Sequence, residues 1–267
     1  MKLRVGVLQL DIALGDREKN QRNIEKWMAS IPLTPDIPTA IVVPELWDVG
    51  YALDRATELA DPEGSGAAAF LGGLAKKYGV WFAGGSVLAS TGGGFVNRAQ
   101  VINPRGELAA YYDKVHLIRL MEEEKYFTGG KKECVFPLEG ATAGCVICYD
   151  LRFSEWLRTY ALKGTEVMFI SAEWPTPRID HWKIMLQSRA IENQMYVVAC
   201  NRCGETEADK FGGASMIIGP WGEVLFEAGE GEEAGFATLD LEKVSKARNF
   251  LTVFKDRVPE IYGTHIK

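Results

Sequence analysis

The chain has 267 residues, 47% of them hydrophobic and 25% charged, with a formal net charge of −6. This is an ordinary globular composition with enough apolar chain for a sizeable core, and the length suits one large domain (1–267) or two small ones. No basic cluster marks a nucleic-acid partner and no apolar run approaches a membrane span, so both classes are set aside.

Strand-like and helix-like segments alternate along the chain. Leu3 to Leu10 reads as a strand, too short and too alternating for a signal peptide. Asp16 is placed to cap a helix whose Ile24, Trp27, Met28 and Ile31 recur at helical spacing. Ala40 to Val43 is a short buried strand ended by Pro44, followed by a helix around Ala67 to Lys77 and a strand at Val80 to Leu88. Phe95 to Ile102 and Glu107 to Val115 flank the turn signal Asn103-Pro104-Arg105-Gly106 and read as a hairpin. Cys134 to Pro137 and Gly144 to Cys148 are the next strands, with a helix capped by Ser154 after them. Then come strand Val167 to Ser171, helix Arg178 to Gln194 and strand Tyr196 to Cys200. A second hairpin turns at Gly219-Pro220-Trp221-Gly222, and a strand near Gly235 to Leu239 precedes a helix starting at Asp240. Mixing βα units with hairpins indicates a layered α/β domain with mixed sheets. Five cysteines, an odd number, without an export signal point to free thiols in a reducing, cytoplasmic setting.

The stretch from Gly144 to Glu155 carries the most chemical information. An apolar run ends on Cys148, and a helical segment begins almost at once. Such a strand-to-helix turn holds a residue out at the end of a sheet, near free N–H groups and partial positive charge. That setting lowers a thiol's pKa and supplies donors for an oxyanion. The competing reading is a buried structural cysteine. Glu45 follows a buried strand, where open α/β sheets bind ligands, and can serve as a general base or be a solvated loop carboxylate. Lys114 also ends a strand. A thiol needs a base, and a tetrahedral intermediate needs a cation or N–H donors, so Cys148, Glu45 and Lys114 together make chemical sense without a histidine. His116, His181 and His265 supply a Cys–His dyad only thinly.

Three ordered segments, Pro44 to Tyr51, Asp113 to Leu117 and Ile147 to Phe153, carry a resemblance to the nitrilase, or carbon–nitrogen hydrolase, superfamily over nearly the whole chain. Further matches are Arg189 to Gln194, Asn201-Arg202, and Gly213-Ala214-Ser215 before Pro220-Trp221-Gly222-Glu223. The resemblance implies a four-layer α-β-β-α sandwich with mixed sheets. It implies Glu45 as base, Lys114 as oxyanion cation, Cys148 as acylated nucleophile and the N–H of Tyr149 as second oxyanion donor, with no metal or organic cofactor. A second active-site glutamate fits Glu123 best, with Glu122 and Glu124 beside it. Within the superfamily the chain is similar to omega-amidases, which act on 2-oxoglutaramate and related amides, through Trp47, Tyr51 and the run Ala172 to Trp182. That likeness implies a small carboxylate-bearing amide as substrate, with Tyr51 and Arg178 holding the carboxylate and Trp47 and Trp174 walling the pocket. Many relatives carry Asn where this chain has Glu173, Pro where it has Ser154, and Pro where it has Gly129. A carboxylate at Glu173, in a pocket-lining loop, repels an acidic substrate unless Arg178 or another cation pairs with it. N-carbamoyl amino acids, other linear amides and nitriles stay open as substrates.

The pairs Cys145/Cys148 and Cys200/Cys203 raise a rival reading, a zinc or redox site. The apolar, strand-like spacing of the first pair and the long stretch between the two count against it. A catalytically dead binding module would have lost one of Glu45, Lys114 or Cys148. Family likeness also implies a homodimer or larger homo-oligomer, with the apolar segment of about 252–267 crossing to a partner or packing on its own subunit.

Overall fold

Strands buried on both faces need a layer on each side, and the chain supplies them. In the computed structural model, which describes residues 1–34 and 36–262, β1 (Lys2–Gln9) is buried from its second residue on. The elements that follow are α1 (Arg17–Ser30), β2 (Thr39–Val42), α2 (Ala56–Leu59), β3 (Asp61–Pro62), α3 (Ser65–Tyr78) and β4 (Trp81–Thr91). Next come β5 (Gly94–Ile102), β6 (Leu108–Asp113), β7 (Val135–Leu138), β8 (Ala141–Ile147), α4 (Ser154–Leu162), β9 (Val167–Ala172) and α5 (Ile179–Asn193). The last are β10 (Tyr196–Asn201), β11 (Cys203–Glu205), β12 (Lys210–Gly212), β13 (Met216–Ile218), β14 (Val224–Glu227), β15 (Glu233–Asp240) and α6 (Glu242–Phe250).

One sheet runs β15-β1-β2-β4-β5-β6, with β3 on β4; the other runs β14-β13-β10-β9-β8-β7. Each has a parallel centre, β1-β2-β4 and β8-β9-β10, edged by antiparallel strands. Their inner faces share a core in which Val5, Val42 and Val101 meet Cys145, Phe169 and Val198. Ile24 and Met28 of α1 and Leu71 and Leu74 of α3 cover the outer face of the first sheet. Leu157 and Tyr160 of α4, Trp182 and Leu186 of α5 and Val244 of α6 cover the second. The result is the four-layer α-β-β-α sandwich. Among the described residues no helix is long and apolar enough to cross a membrane.

Local chemistry explains most of the boundaries. Asp16 Oδ1 accepts from the Lys19 N–H at 3.0 Å and starts α1. Asn103 Oδ1 accepts from the N–H groups of Arg105 and Glu107 at 2.9 and 3.1 Å, closing the first hairpin. Gly106 there has φ +83, and a Cβ would meet the Gly72 carbonyl oxygen at 2.7 Å. Ser154 does not cap α4 through its side chain: it is the first helical residue, and its hydroxyl lies on Glu155. Residues Cys148–Arg152 form a 3-10 segment first, so the cap position passes to Phe153. The β11–β12 ribbon escapes sequence reading because Gly204-Glu205-Thr206-Glu207 shows no apolar alternation. Past α6, Phe254 packs on the chain's own core beneath Arg158 and Arg248, whereas Val253, Val258, Ile261 and Tyr262 are exposed. Residues 263–267 of the proposed partner-crossing segment lie outside the described residues.

Candidate active site

The carboxyl ends of β2, β6, β8, β9 and β10 deliver their next residues to one place, the ligand-binding end of an open α/β sheet. Glu45 lies just past β2, fully buried. Its turn, with Leu46 at φ +43, is strapped to β4: Ser86 Oγ accepts from the Leu46 N–H at 2.9 Å and the Ser86 carbonyl from the Trp47 N–H at 2.9 Å. Glu45 Oε1 takes three donors, Lys114 Nζ at 2.7 Å, Asn97 Nδ2 at 2.8 Å and the Tyr51 hydroxyl at 3.0 Å. Among the described residues Oε2 takes one backbone donor, the Glu173 N–H, at 2.9 Å. Oε2 is therefore the oxygen with room for a proton.

Lys114 follows β6, its N–H on the Asn97 carbonyl at 2.9 Å and its own carbonyl accepting from the Gly130 N–H at 2.8 Å. A side chain at Gly130 would fall on the Asp113 carbonyl, so this contact requires glycine. Lys114 Nζ bridges Glu45 and Glu123 Oε1, the latter at 2.8 Å, with all three side chains fully buried. Burial opposes the ammonium charge, but Glu123 and Glu45 outweigh it and push the lysine pKa well above its ordinary value. Glu123 also accepts from the Ile118 N–H at 2.7 Å, and it alone of the three neighbouring glutamates is buried. Burial raises its carboxyl, Lys114 works the other way, and Glu45 adds to the rise. Tyr51 departs from expectation. Its hydroxyl lies on Glu123 and Glu45, burial and those two charges hold the phenol protonated, and its single proton is already used between them. Its bonds run to these two site carboxylates.

Cys148 opens the 3-10 segment at φ +45, an uncommon conformation for a side-chain-bearing residue. Asp150, fully buried, closes this elbow: Oδ2 accepts from the Ile147 N–H at 3.0 Å and the Tyr112 hydroxyl at 2.8 Å. Its Oδ1 accepts from the His116 N–H at 3.0 Å and lies 2.7 Å from His116 Nδ1, tying the segment after Lys114 to the thiol. The thiol does not have the lowered pKa that its place in the sequence implies. Burial first, then the Glu45 charge, push it well above its ordinary value, against the pull of Lys114. A protonated thiol beside a carboxylate with one open oxygen can pass its proton across as sulfur attacks. Tyr149, half-buried, has its N–H in the first turn of the segment, where such groups lack an intrahelical acceptor.

The Glu173 carbonyl faces Cys148 Sγ at 4.0 Å, and its carboxylate pairs with Arg202 at 3.0 Å, both side chains fully buried. Arg178 is not that partner; it ends a short 3-10 turn (Thr176–Arg178) and its carbonyl accepts from Trp174 Nε1 at 2.7 Å. Trp174 is buried beside the site with Arg152 4.7 Å above its ring, whereas Trp47 turns to the helix layer against Phe70. Sequence reading missed Asn97, Asp150 and Arg202 as site residues. Asn97 carried a signal, a polar residue in an otherwise apolar inward register of β5. The C-x-x-C pairs have other neighbours: the Cys145 thiol lies against Cys134, and Cys200 Sγ donates to the Leu8 carbonyl at 3.1 Å. Among the described residues no group of three or more His, Cys, Asp or Glu is arranged to hold a metal ion.

Burial, opposed by Arg202, pushes the Glu173 carboxyl up to about 7, against about 4.3 in an unfolded chain. Between those values the folded chain holds a proton that the unfolded chain has released, so this group's contribution falls as pH rises toward about 7 and is fully lost above it. Glu173→Gln has no such proton. Its melting temperature is expected to decline less than that of the parent chain between pH of about 4.5 and 7.5. Parallel curves would contradict the assignment.

The carbon-nitrogen hydrolase family model matches residues 4–249. A 2-oxoglutaramate amidase of Bacillus subtilis (strain 168) is 40% identical over 262 residues, 98% of this chain and 100% of that protein. An omega-amidase of Yersinia enterocolitica is 33% identical over 95% of this chain and 96% of its own. Among solved structures, a CN-hydrolase superfamily protein of Xanthomonas campestris with an arsenic adduct in its active site superposes with a TM-score of 0.89. It is 26% identical and covers 97% of this chain and 98% of that one. From the buried Glu-Lys-Cys cluster, the four layers and these matches, the chain belongs to the carbon–nitrogen hydrolase family of the nitrilase superfamily and is an omega-amidase-like member of it.

Proposed function

We propose that this enzyme hydrolyses a small carboxylate-bearing amide of the 2-oxoglutaramate kind to acid and ammonia through a thioester on Cys148. The Cys148 proton passes to Glu45 Oε2 as Sγ attacks the amide carbonyl. Lys114 and the Tyr149 N–H hold the oxyanion. Glu45 returns the proton to the leaving ammonia, then activates the water that releases the acid. Glu123 and Tyr51 keep Lys114 and Glu45 in place.

One observation carries the carboxylate. Beside the catalytic cluster, next to Cys148 through Tyr149 but not lined by Cys148, Glu45 or Lys114 themselves, a cavity of about 500 Å³ is lined by Arg119, Arg152 and Arg178, none of which pairs with an acid among the described residues. Arginine recognises carboxylates bidentately. Glu173, the acid that would oppose such a substrate, is occupied by Arg202. The 2-oxoglutaramate and omega-amidase relatives support the same reading. The test compares kcat/KM for 2-oxoglutaramate with that for an uncharged amide of equal length, beside carbamoyl compounds and nitriles. A charge-assisted contact is expected to favour the carboxylate on the order of 10- to 100-fold. A preference for the uncharged amide overturns the carboxylate while leaving the thiol chemistry standing.

The working form in this reading is cytoplasmic and at least a homodimer. Five unbridged cysteines support a reducing compartment. Exposed Ile191, Trp221, Phe250 and Leu251, with the Trp221 and Phe250 rings 5.8 Å apart, offer an apolar face for a second copy. Light scattering at micromolar concentration is expected to give at least the dimer mass; a monomer contradicts this.

A further inference from the structure

The dipeptide Asn201-Arg202 has no part in the chemistry above, yet it grips the chain beside the catalytic cluster at three successive residues. The Arg202 N–H donates to the Ala172 carbonyl at 3.0 Å. Its guanidinium donates to Glu173 Oε2 at 3.0 Å. The Asn201 side chain accepts from the Trp174 N–H at 2.6 Å and donates to the Trp174 carbonyl at 3.1 Å. Both grips are themselves anchored. Arg202 also donates to Asp11 at 3.1 Å and to the Ile12 carbonyl at 2.9 Å, and lies 4.3 Å above the Phe211 ring. Asn201 donates to the Gly213 carbonyl at 2.8 Å.

The gripped peptide touches both reacting groups. Among the described residues the Glu173 N–H is the one backbone donor on Glu45 Oε2, the oxygen left open for the thiol proton, and the Glu173 carbonyl faces Cys148 Sγ. Glu173 Oε1 has no partner among the described residues, so Arg202 alone orients the carboxylate.

We propose that Asn201, Arg202 and Glu173 are positioning residues: they fix the 173–174 peptide so that Glu45 Oε2 and Cys148 Sγ stay in register for proton transfer. Glu173 then acts through its backbone, not as a ligand for the substrate. This rests on the reading of Glu45 as base.

Four variants test it: Glu173→Ala, Glu173→Gln, the double variant Glu173→Ala with Arg202→Met, and Glu45→Gln. Each is assayed for kcat and KM on 2-oxoglutaramate and for the rate of Cys148 alkylation by iodoacetamide, which needs no substrate fit. Misplacement on the ångström scale lowers rates by on the order of 10²-fold. Glu173→Ala is expected to lose about that much kcat and to slow alkylation while KM moves less than about threefold. Gln keeps an acceptor for Arg202 and is expected to recover most of the loss. A pure charge effect, or direct substrate contact, makes Gln and Ala alike and overturns the proposal. The double variant leaves no unpaired buried charge. Parental kcat and alkylation in it also overturn the clamp. Glu45→Gln separates the two readings: if it turns over normally the base assignment fails, and if it is inactive while the double variant is intact only the clamp fails.

Discussion

Cys148→Ala is expected to abolish ammonia release while the chain folds as before, and Cys145→Ala to keep most activity. The thioester needs sulfur, which alanine does not supply. Exchanging Cys for Ala in the wall of the site removes little volume and leaves the Asp150 bonds that close the elbow untouched. Cys145, only three residues away, lies in the strand and turns its thiol to Cys134. Its loss leaves a small apolar gap in the core between the sheets and does not reach the reacting atoms. The pair of variants is read by kcat together with the melting temperature. Equal loss of activity in both, at unchanged stability, would mean that the two thiols act as a unit and would return the C-x-x-C reading to favour.

The proposed base and nucleophile could be picked out as candidates because each follows a strand whose apolar run stops abruptly: Glu45 after Pro44, Cys148 before the polar Tyr149-Asp150. Their mutual contacts were not. Glu123 could not be told from Glu122 and Glu124 because a three-residue 3-10 turn decides which one faces inward. The cation for Glu173 was expected to be Arg178, five residues on, or another cation that the sequence did not locate. The partner is Arg202, because β9 and β10 run parallel in a register that sets Asn201 opposite Ala172, and so brings the following residues of both strands side by side. Only sheet pairing reveals that neighbour. The thiol's direction was misread for a related reason. The strand-to-helix setting is local and lowers a thiol's pKa, but burial and the facing Glu45, 103 positions away in the chain, act across the sheet and win. Trp47 looked like a pocket wall from its place in the first signature; the positive φ at Leu46 reverses the chain there, and Trp47 turns to the helix layer instead.

Lys114→Met is expected to damage both catalysis and folding, whereas Glu45→Gln damages catalysis alone. In the parent chain one ammonium sits between the two fully buried carboxyl groups, which hydrogen bonds from Tyr51, Asn97, Ile118 and Glu173 also hold in place. Removing Lys114 leaves two carboxylates facing each other without a cation. An uncompensated buried charge destabilises by about 3–5 kcal/mol, and loss of an oxyanion donor lowers kcat by about 10²–10³-fold. The pH dependence has a fixed sign. Burial and Glu45 already raise the Glu123 carboxyl, and without Lys114 nothing of comparable strength opposes them. The folded variant therefore keeps a proton that the unfolded chain has released, and its stability falls as pH rises from the acid range toward neutrality. Glu45→Gln instead leaves Lys114 paired with Glu123, so folding is retained while loss of the proton acceptor lowers kcat by about 10²–10⁴-fold. Denaturant midpoints at pH of about 5 and 8, measured beside kcat, separate the two outcomes. A Lys114→Met variant as stable as the parent at the higher pH would show that the ammonium is not what holds the carboxylates together, and the oxyanion role would then have to be argued without it.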